Sequence, residues 1–215
     1  GGHARVVLDA LLQLERFAVV GILDRDRARR QVVGVLDGDE PRREEMLYGV
    51  LLLGGDERLA ELRSMATHVI VAVGSIGAPT HRVEIYRRSR ELGFEAAVVV
   101  HPAASVSANA QLGRGTFVGP AAVVNAGARI GENAIINSGA IVEHDCALGD
   151  HVHVAPRAVL GGGVRIGARA HVGIGAVVRE SLQIGEDAIV GAGAVVIRDV
   201  GAGMVVAGVP ARPLR

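Results

Sequence analysis

The sequence contains no lysine and no tryptophan, and it has only three phenylalanines and two tyrosines. The absence of lysine excludes a Schiff-base mechanism and any phosphate-binding loop that depends on a lysine. The 23 basic residues, all arginine, balance 23 acidic residues. The formal net charge is therefore zero and gives no electrostatic reason to expect a nucleic-acid partner.

Cysteine is nearly absent as well. The single Cys146 excludes an intramolecular disulfide and is compatible with a reducing compartment. The sequence also lacks a recognisable signal peptide and any apolar run long enough to cross a bilayer, so we expect a cytoplasmic protein without a membrane partner. What precedes Gly1, where the sequence starts abruptly, is left open.

Aliphatic residues, by contrast, are abundant and follow a six-residue rhythm. From Val100 to Val196 a large aliphatic side chain occupies every sixth position, usually with a small residue four positions later. That period matches neither an α-helix nor an amphipathic strand. It is typical of short strands wound into a parallel β-helix, in which each coil covers the apolar residues of the next. The seventeen positions are Val100, Val106, Leu112, Val118, Val124, Ile130, Ile136, Val142, Leu148, Val154, Leu160, Ile166, Val172, Val178, Ile184, Val190 and Val196.

The first hundred residues instead alternate between predicted helices and predicted strands. Helices are predicted over residues 3–15, 57–65 and 82–92, and strands over residues 17–23, 50–53, 68–73 and 96–100. This alternation predicts an α/β domain with a small Rossmann-like parallel sheet, which would bind ligands at the carboxyl ends of its strands. We therefore predict two domains, an α/β domain over residues 1–100 and an all-β parallel β-helix over residues 101–215.

Two features of the predicted α/β domain suggest a nucleotide ligand. Gly1 and Gly2 precede the first helix, where a backbone without side chains can approach a phosphate, although a plain tight turn explains them equally well. Asp24 follows a predicted strand, where an acid often binds a sugar, or simply forms a turn. The surrounding pattern recurs thirteen residues later, so whether Asp24 or Asp37 faces a ligand stays open.

One segment of the β-helix is rich in groups that could take part in chemistry. Three histidines and three acidic residues fall between Glu143 and His153. Counting along the six-residue repeat directs His144, Asp145 and His153 outward, and a histidine beside a carboxylate suits a general base near neutral pH. An ordinary surface histidine is the alternative interpretation. The same count directs Cys146 inward, which favours a small core thiol over a nucleophile.

With these motifs, the chain resembles the hexapeptide-repeat sugar acyltransferases of the sialic acid O-acetyltransferase type. That group includes bacterial nucleotide-aminosugar N-acetyltransferases of the bacillosamine and perosamine pathways. The resemblance covers nearly the whole chain, and the glycine-rich start together with the Glu-His-Asp-Cys run is its most specific part. The motifs that carry it are Gly1-Gly2-His3-Ala4, Gly21-Ile22-Leu23-Asp24, Leu53-Gly54-Gly55-Asp56-Glu57, Val71-Ala72-Val73-Gly74, Val142-Glu143-His144-Asp145-Cys146 and Ala207-Gly208-Val209-Pro210-Ala211-Arg212.

The resemblance implies a left-handed triangular prism with three hexapeptides in each coil, assembled as a homotrimer with active sites between neighbouring prisms. Residues eighteen apart would then stack, with His144 beneath Gly162 and His153 beneath His171. The implied activity is transfer of an acetyl group from acetyl-CoA, the co-substrate, to a nucleotide-linked sugar held by the N-terminal domain. No metal ion is implied.

Residue roles follow from the same resemblance. His144 would be the general base, and Asp145 the acid that increases its basicity. The implied acetyl-CoA-binding residues are His153, Gly162, Ile174 and Ala192. The implied substrate-binding residues are Gly1, Gly2, His3, Asp24, Arg25 and Gly74.

The chain departs from the family pattern where a first strand and a leading glycine are missing, and where Ala192 replaces an expected glycine. An amine on the sugar is the expected acceptor, in the biosynthesis of a bacterial surface glycan, with O-acetylation of a sugar such as sialic acid as an alternative. A metal enzyme similar to the gamma carbonic anhydrases, with ligands drawn from His144, His151, His153 and His171, is a second alternative. A non-catalytic scaffold that binds sugar nucleotides is a third.

Overall fold

The structure is a computed structural model that describes residues 2–14, 16–23, 46–75, 77 and 79–214. Its N-terminal part is a small α/β domain, and the remainder is a left-handed parallel β-helix, as predicted. The predicted strand tip with Asp24, Arg25 and Asp37 lies outside the described residues, as does Gly1.

The α/β domain contains two α-helices, a 3₁₀ helix and five short strands among its described residues. Strand β1 pairs in parallel with β3, which also pairs antiparallel with β2, and β4 pairs in parallel with β5. The elements in chain order are α1 (Gly2–Leu12), β1 (Ile22–Leu23), β2 (Met46–Leu47), β3 (Val50–Gly54), the 3₁₀ helix (Asp56–Ser64), β4 (His68–Val69), α2 (Thr80–Glu91) and β5 (Glu95–Ala96).

Two predicted strands of this domain are much shorter in the structure. The segment predicted as a strand over residues 17–23 is paired only at Ile22–Leu23, and the segment over residues 68–73 only at His68–Val69. The carbonyl groups of Val71 and Val73 accept hydrogen bonds from the side chain of Arg82, so they do not take part in a strand ladder. Apolar composition therefore predicted neither the backbone partners nor the burial of these segments, since Val71 is buried whereas Ala18 and Val20 are exposed.

Eighteen short strands follow, and all but the last repeat at the six-residue interval. They are β6 (Val99–Val100), β7 (Ser105–Val106), β8 (Gln111–Leu112), β9 (Phe117–Val118), β10 (Val123–Val124), β11 (Arg129–Ile130), β12 (Ile135–Ile136), β13 (Ile141–Val142), β14 (Ala147–Leu148), β15 (His153–Val154), β16 (Val159–Leu160), β17 (Arg165–Ile166), β18 (His171–Val172), β19 (Val177–Val178), β20 (Gln183–Ile184), β21 (Ile189–Val190), β22 (Val195–Val196) and β23 (Val205–Ala207). A last short strand, β24 (Arg212–Pro213), pairs antiparallel with β23.

These strands form the three faces of a prism. Face 1 contains β7, β10, β13, β16, β19 and β22, face 2 contains β8, β11, β14, β17 and β20, and face 3 contains β6, β9, β12, β15, β18, β21, β23 and β24. The parallel register pairs residues eighteen apart, as in Val124 with Val142 and Ile136 with Val154. Each coil therefore consists of three hexapeptides, as the resemblance implies.

The aliphatic residue of each hexapeptide points to the axis of the prism. From Val118 to Val196 it is buried there, whereas Val100, Val106 and Leu112 of the first coil are partly buried. The glycine that often follows the aliphatic residue is required by the close approach of successive coils. A Cβ added to Gly131 would lie 2.5 Å from the carbonyl carbon of Gly149 in the next coil. The left-handed backbone at the corners falls two residues later, as at Gly163 and Asp145.

The α/β domain packs on face 3. Val7 and Ala10 of α1 are buried against Phe117 and Ile135, which point outward from β9 and β12. The domain is thus anchored to the prism by a shared apolar cluster, and β6 directly continues the chain into face 3. None of the described helices combines the length and apolar character needed to span a bilayer.

Candidate active site

His144 and Asp145 lie in the turn between β13 and β14, on the edge where faces 1 and 2 meet. Nδ1 of His144 is 2.9 Å from Oδ2 of Asp145, and the two side chains are 64% and 71% exposed. Because a carboxylate only accepts, Nδ1 carries the proton and Nε2 of the neutral ring keeps its lone pair. The hydrogen bond from the ring to Asp145 raises the pKa of His144, and this geometry suits a general base.

The backbone of this turn fixes the carboxylate. Asp145 has a left-handed φ of 59°, and its N–H donates to the carbonyl of Ala126 one coil away. Glu143, on the other side of the histidine, accepts hydrogen bonds from the Asn125 amide and from the His144 backbone N–H. Of the two carboxylates that flank His144, only that of Asp145 therefore bonds to the ring.

Gly162 stacks directly against the imidazole of His144, one coil further along the same edge. A Cβ added to Gly162 would lie 2.5 Å from Nε2 and 2.7 Å from Cε1 of His144, so the ring occupies the space that a side chain would fill. The N–H groups of Gly161 and Gly163 are hydrogen-bonded, whereas that of Gly162 donates to no acceptor within the described part of the chain. An unpaired donor thus lies beside the candidate base.

Cys146 is buried inside the prism, as predicted. Its thiol contacts the carbonyl of Gly161 at 3.2 Å, and burial raises its pKa. A thiol with a raised pKa and no access to solvent is a poor nucleophile.

His153 projects outward from face 3, as predicted, but the α/β domain covers it, so its residue is only 7% exposed. Nδ1 lies 2.7 Å from the carbonyl oxygen of Ser75 and Nε2 lies 3.2 Å from Nδ2 of Asn137. A carbonyl accepts only, so Nδ1 carries the proton. The amide of Asn137 has a fixed orientation because its Oδ1 accepts from the N–H of Ser138, so Nδ2 donates to the lone pair of Nε2.

Two further histidines adjoin His153. The ring of His171, one coil along, meets it edge to face with centroids 4.9 Å apart, and His171 Nδ1 is buried without a partner in the described structure. His3 packs edge to face against Phe117. Burial lowers the pKa of His3 to about 3 and of His153 to about 4, so both rings are neutral at physiological pH.

Of the predicted substrate-binding residues, the structure describes Gly2, His3 and Gly74. His3 and Gly74 are neighbours, because a Cβ on Gly74 would lie 3.3 Å from Cβ of His3. The predicted Gly1, Asp24 and Arg25 lie outside the described residues. His3 and Gly74 thus bring the start of α1 into contact with the segment that follows β4.

The predicted acetyl-CoA residues fall on two edges and one face. Gly162 shares the edge of His144, whereas Ile174 and Ala192 lie in the turns from face 3 to face 1, and His153 lies on face 3. Ile174 and Ala192 occupy the same track in successive coils, where the N–H of Gly193 bonds to the carbonyl of Ile174. Ile174 is 60% exposed, so this edge presents apolar surface to solvent.

The triangular cross-section separates these groups within one chain. An edge between two faces of a triangular prism lies opposite the third face, so the His144 edge lies opposite face 3. His3, Gly74 and His153, all at face 3, are therefore on the far side of the prism from the candidate base. Within the described residues, no three His, Cys, Asp or Glu side chains are grouped so that they could hold a metal ion.

Sequence reasoning missed the groups that hold His153 in place. The Ser75 carbonyl comes from a segment 78 residues away in the chain, so no local pattern indicates it. Asn137 could have been found from the repeat. It lies one coil before Ala155, and this position adjoins the column of outward side chains that contains His153. The sequence pattern places Arg82 only in a helix, whereas in the structure it is buried and bonds to three backbone carbonyls.

Comparison with known proteins relates these features to characterised sequences and structures. The PglD N-terminal domain family matches residues 1–88, and the bacterial transferase hexapeptide family (six repeats) matches residues 127–162 and 163–198. A mutant of GDP-perosamine N-acetyl transferase from Caulobacter crescentus, in complex with CoA and GDP-perosamine, is 38% identical, with 100% of this chain and 93% of that chain covered and a TM-score of 0.86. The chain belongs to the hexapeptide-repeat sugar acetyltransferases with a PglD-type N-terminal domain.

Two other solved structures are similar to the chain. The acetyltransferase domain of PglB from Neisseria gonorrhoeae, in complex with acetyl coenzyme A, is 34% identical over 100% of this chain and 95% of that chain, with a TM-score of 0.85. WeeI from Acinetobacter baumannii is 30% identical over 79% of this chain and 81% of that chain, with a TM-score of 0.72. A search of curated proteins gave no match. The resemblance derived from the motifs is thereby confirmed.

Lowering the pH from 7 to 5 is expected to reduce the free energy of unfolding. The pKa values of His3 and His153 in the folded protein, about 3 and about 4, lie below the ordinary value of 6.5. Below pH 6.5 the unfolded chain takes up protons that the folded protein does not, so each of these histidines costs about 2 kcal/mol at pH 5. Denaturant titrations at both pH values measure the difference.

The variant for this experiment is His153→Asn. Replacing buried His153 should flatten the pH dependence, because asparagine takes up no proton in this range. Equal pH dependence in the wild type and the variant would contradict the assignment of the effect to buried neutral imidazoles.

Proposed function

We propose that this protein transfers an acetyl group from acetyl-CoA to an amino group of a nucleotide-linked sugar, in the biosynthesis of a bacterial surface glycan. The observation that carries the proposal is the His144–Asp145 pair, whose ring lies over Gly162 beside an unpaired N–H. A relative that is 38% identical, with 100% of this chain and 93% of its own chain covered, is a mutant of a GDP-perosamine N-acetyl transferase in complex with CoA and GDP-perosamine. We assign the reaction to the cytoplasm, because acetyl-CoA and nucleotide sugars are available there.

The proposed reaction is a direct attack of the amine on the thioester. As the nitrogen–carbon bond forms, Nε2 of His144 removes a proton from the amine, and Asp145 stabilises the resulting imidazolium. The N–H of Gly162 is suited to donate to the oxyanion of the tetrahedral intermediate. When the carbon–sulfur bond breaks, the protonated His144 returns the proton to the departing thiolate, and the base is regenerated.

The neutral His153 has a different role in this scheme. Both of its ring nitrogens are engaged, by the Ser75 carbonyl and the Asn137 amide, and its pKa of about 4 keeps it uncharged. It is therefore suited to pack against the thioester end of acetyl-CoA and not to transfer protons.

His3 and Gly74, which meet beside His153, are proposed to bind the nucleotide sugar, together with Gly1, Gly2, Asp24 and Arg25. Ile174 and Ala192 are proposed to line the cofactor groove.

The same geometry supports a homotrimer. The outward column of face 1 is aliphatic throughout its central part, and Val177 in this column is 40% exposed. If face 1 of each chain turns towards a common axis, the edge with His144 meets the neighbour's edge with Ile174 and Ala192. A cyclic arrangement thereby brings together the two half-sites that a single chain holds apart. The column consists of Val123, Ile141, Val159, Val177 and Val195.

A thiol-release assay tests the proposed function. The protein is incubated with acetyl-CoA and a panel of UDP-, GDP-, dTDP- and CMP-linked 4-amino sugars, and free CoA is measured with a thiol reagent. We expect release with at least one amino sugar and none with its hydroxyl counterpart, and mass spectrometry should show an added acetyl group on nitrogen. Release only with the hydroxyl sugars would favour O-acetylation, and no binding of acetyl-CoA would contradict the proposal.

Co-assembly of His144→Ala and His153→Ala chains is expected to give more activity than either variant alone if the site lies between chains. Co-expressed His144→Ala and His153→Ala chains can form sites that take His144 from one chain and His153 from the other. An intact site needs a His153→Ala chain to supply His144 and a neighbouring His144→Ala chain to supply His153. With equal amounts and random assembly this holds for about a quarter of the sites, so about 25% of wild-type activity should return. Separately purified and then mixed trimers are the control. Failure of the co-expressed pair to exceed either variant alone would indicate a site within one chain.

A further inference from the structure

Arg82 is a buried cation with an unusual set of partners. It lies in the first turn of α2 and is 1% exposed, yet no carboxylate contacts it in the described part of the chain. Its guanidinium donates instead to three backbone carbonyls, that of Asn133 from Nε at 3.3 Å and Nη2 at 3.0 Å, that of Val73 from Nη1 at 3.0 Å, and that of Val71 from Nη1. Burying a charge is costly unless hydrogen bonds replace those to water. The three carbonyls provide these bonds, and the guanidinium in turn links the segments that carry them.

The carbonyls of Val71 and Val73 belong to the segment that continues beyond β4. Alternate carbonyls of an extended segment point to the same side, where a neighbouring strand would normally supply N–H donors. No described strand pairs with this part of the segment. The planar fork of Arg82 supplies those donors and at the same time bonds to Asn133 in the turn between β11 and β12 of the prism.

The segment held by Arg82 leads directly to the site. Gly74 follows Val73 and contacts His3, and the carbonyl of Ser75 accepts the Nδ1 proton of His153 at 2.7 Å. Asn133 lies on the same coil as Asn137, whose amide donates to the other nitrogen of His153. One guanidinium thus joins the segment that carries the Ser75 carbonyl to the prism that carries the imidazole.

We propose that Arg82 is a positioning residue: by tying Val71 and Val73 to Asn133, it determines where the Ser75 carbonyl meets His153. Its effect is to keep the Ser75 carbonyl bonded to the Nδ1 proton of His153 and to hold Gly74 against His3. The kinetic consequence rests on the proposed acetyl transfer, whereas the hydrogen-bonding consequence does not depend on any activity.

Tyr86 provides a matched control on the same helix. It lies one turn after Arg82, and its hydroxyl donates to Oε2 of Glu132 at 2.7 Å, in the same prism turn as Asn133. It has no hydrogen bond to residues 71–75. Tyr86→Phe therefore removes a hydrogen bond between the α/β domain and the prism without releasing residues 71–75. Arg82→Lys weakens the link between the domain and the prism and also the hold on residues 71–75.

The test compares Arg82→Lys, Arg82→Met and Tyr86→Phe in the full chain labelled with ¹⁵N-histidine. Correlation spectra of the imidazole nitrogens report which nitrogen of His153 carries the proton, with His153→Asn used to assign the signal. We expect a protonated Nδ1 in every protein, because the Asn137 amide still donates to Nε2. The Nδ1 proton should be hydrogen-bonded in the wild type and in Tyr86→Phe, whereas in both Arg82 variants its signal should shift upfield and exchange faster with water. A lysine keeps the charge, but its three N–H donors share one nitrogen. It therefore cannot span the distance between the Asn133 carbonyl, which bonds to Nε and Nη2, and the Val71 and Val73 carbonyls, which bond to Nη1.

Kinetics provide the second arm, with an amino-sugar nucleotide that the wild type accepts. Arg82→Lys should lower kcat/KM for this substrate about tenfold or more, and Tyr86→Phe should stay within about twofold. An unchanged Nδ1–H signal of His153 in the Arg82 variants, or equal changes in Tyr86→Phe, would overturn the proposal. If the wild type transfers no acetyl group, the proposed function fails while the spectra still decide the role of Arg82. If Arg82→Met does not fold, Arg82→Lys carries the test.

Discussion

Replacement of His144 by alanine is expected to lower kcat by about 10²- to 10⁴-fold, the range that a positioned general base contributes. The imidazole bonds to Asp145 at 2.9 Å and is otherwise exposed, so the variant loses a proton acceptor and little packing. The KM for acetyl-CoA should change much less than kcat. Steady-state thiol release with a saturating amino-sugar nucleotide gives both constants.

The control for this variant is His68→Ala, which removes an exposed imidazole far from the prism edge. It should retain wild-type turnover, and both variants should elute as the same oligomer in size-exclusion chromatography with light scattering. Turnover of His144→Ala within tenfold of the wild type, with the oligomer intact, would refute the assigned role of the base.

Substitution of Gly162 by alanine is expected to reduce kcat by about 10²-fold while leaving thermal stability nearly unchanged. The added Cβ would lie 2.5 Å from Nε2 of His144, so the ring has to rotate away from its place over the turn. A displacement of a catalytic group by about 1 Å is sufficient for a loss of this size. The measurements are kcat and the unfolding temperature of the same preparation.

The backbone itself gives no reason for a glycine at this position. The corresponding positions of other turns carry side chains, such as Ala126 one coil before His144 and Ala168 on the next edge. The turn conformation that does require a left-handed residue is at Gly163, one position later. Ala126→Ser, on the same edge but on the far side of the ring, is therefore the matched control and should keep full activity. A large loss of stability in Gly162→Ala would contradict this explanation.

The β-helix was predictable because its driving force is local and repetitive. A single aliphatic residue in each hexapeptide fixes the strand, its inward direction and the stacking partner, so the burial of Val142, Leu160 and Cys146 follows from counting. The α/β domain was less predictable. Its segment at Val71 and Val73 has the composition of a strand, but its backbone partner is an arginine side chain eleven residues further on, which no periodicity reveals.

The candidate site divides in the same way. His144 and Asp145 are adjacent in sequence and lie on one corner, so their pairing could be inferred and is present. His153 was correctly directed outward, but its burial depends on Ser75, which a distant segment delivers. The contact of His3 with Gly74 is likewise long-range and has no signature in either segment. Local geometry could thus be predicted from the sequence, whereas the meeting of the two domains could not.

The eighteen-residue register, seen in pairs such as Val124 with Val142, places equivalent positions of successive coils at equal intervals along the proposed groove. Ile174 and Ala192 mark successive steps of about 4.8 Å, the spacing of neighbouring strands. Duplication or loss of one complete coil beyond Ala192 would alter the length of the prism by one such step without moving the His144–Asp145 corner. Genes of this kind can therefore gain or lose coils in whole units during evolution, and the chemistry at the corner would persist while the reach of the groove changes.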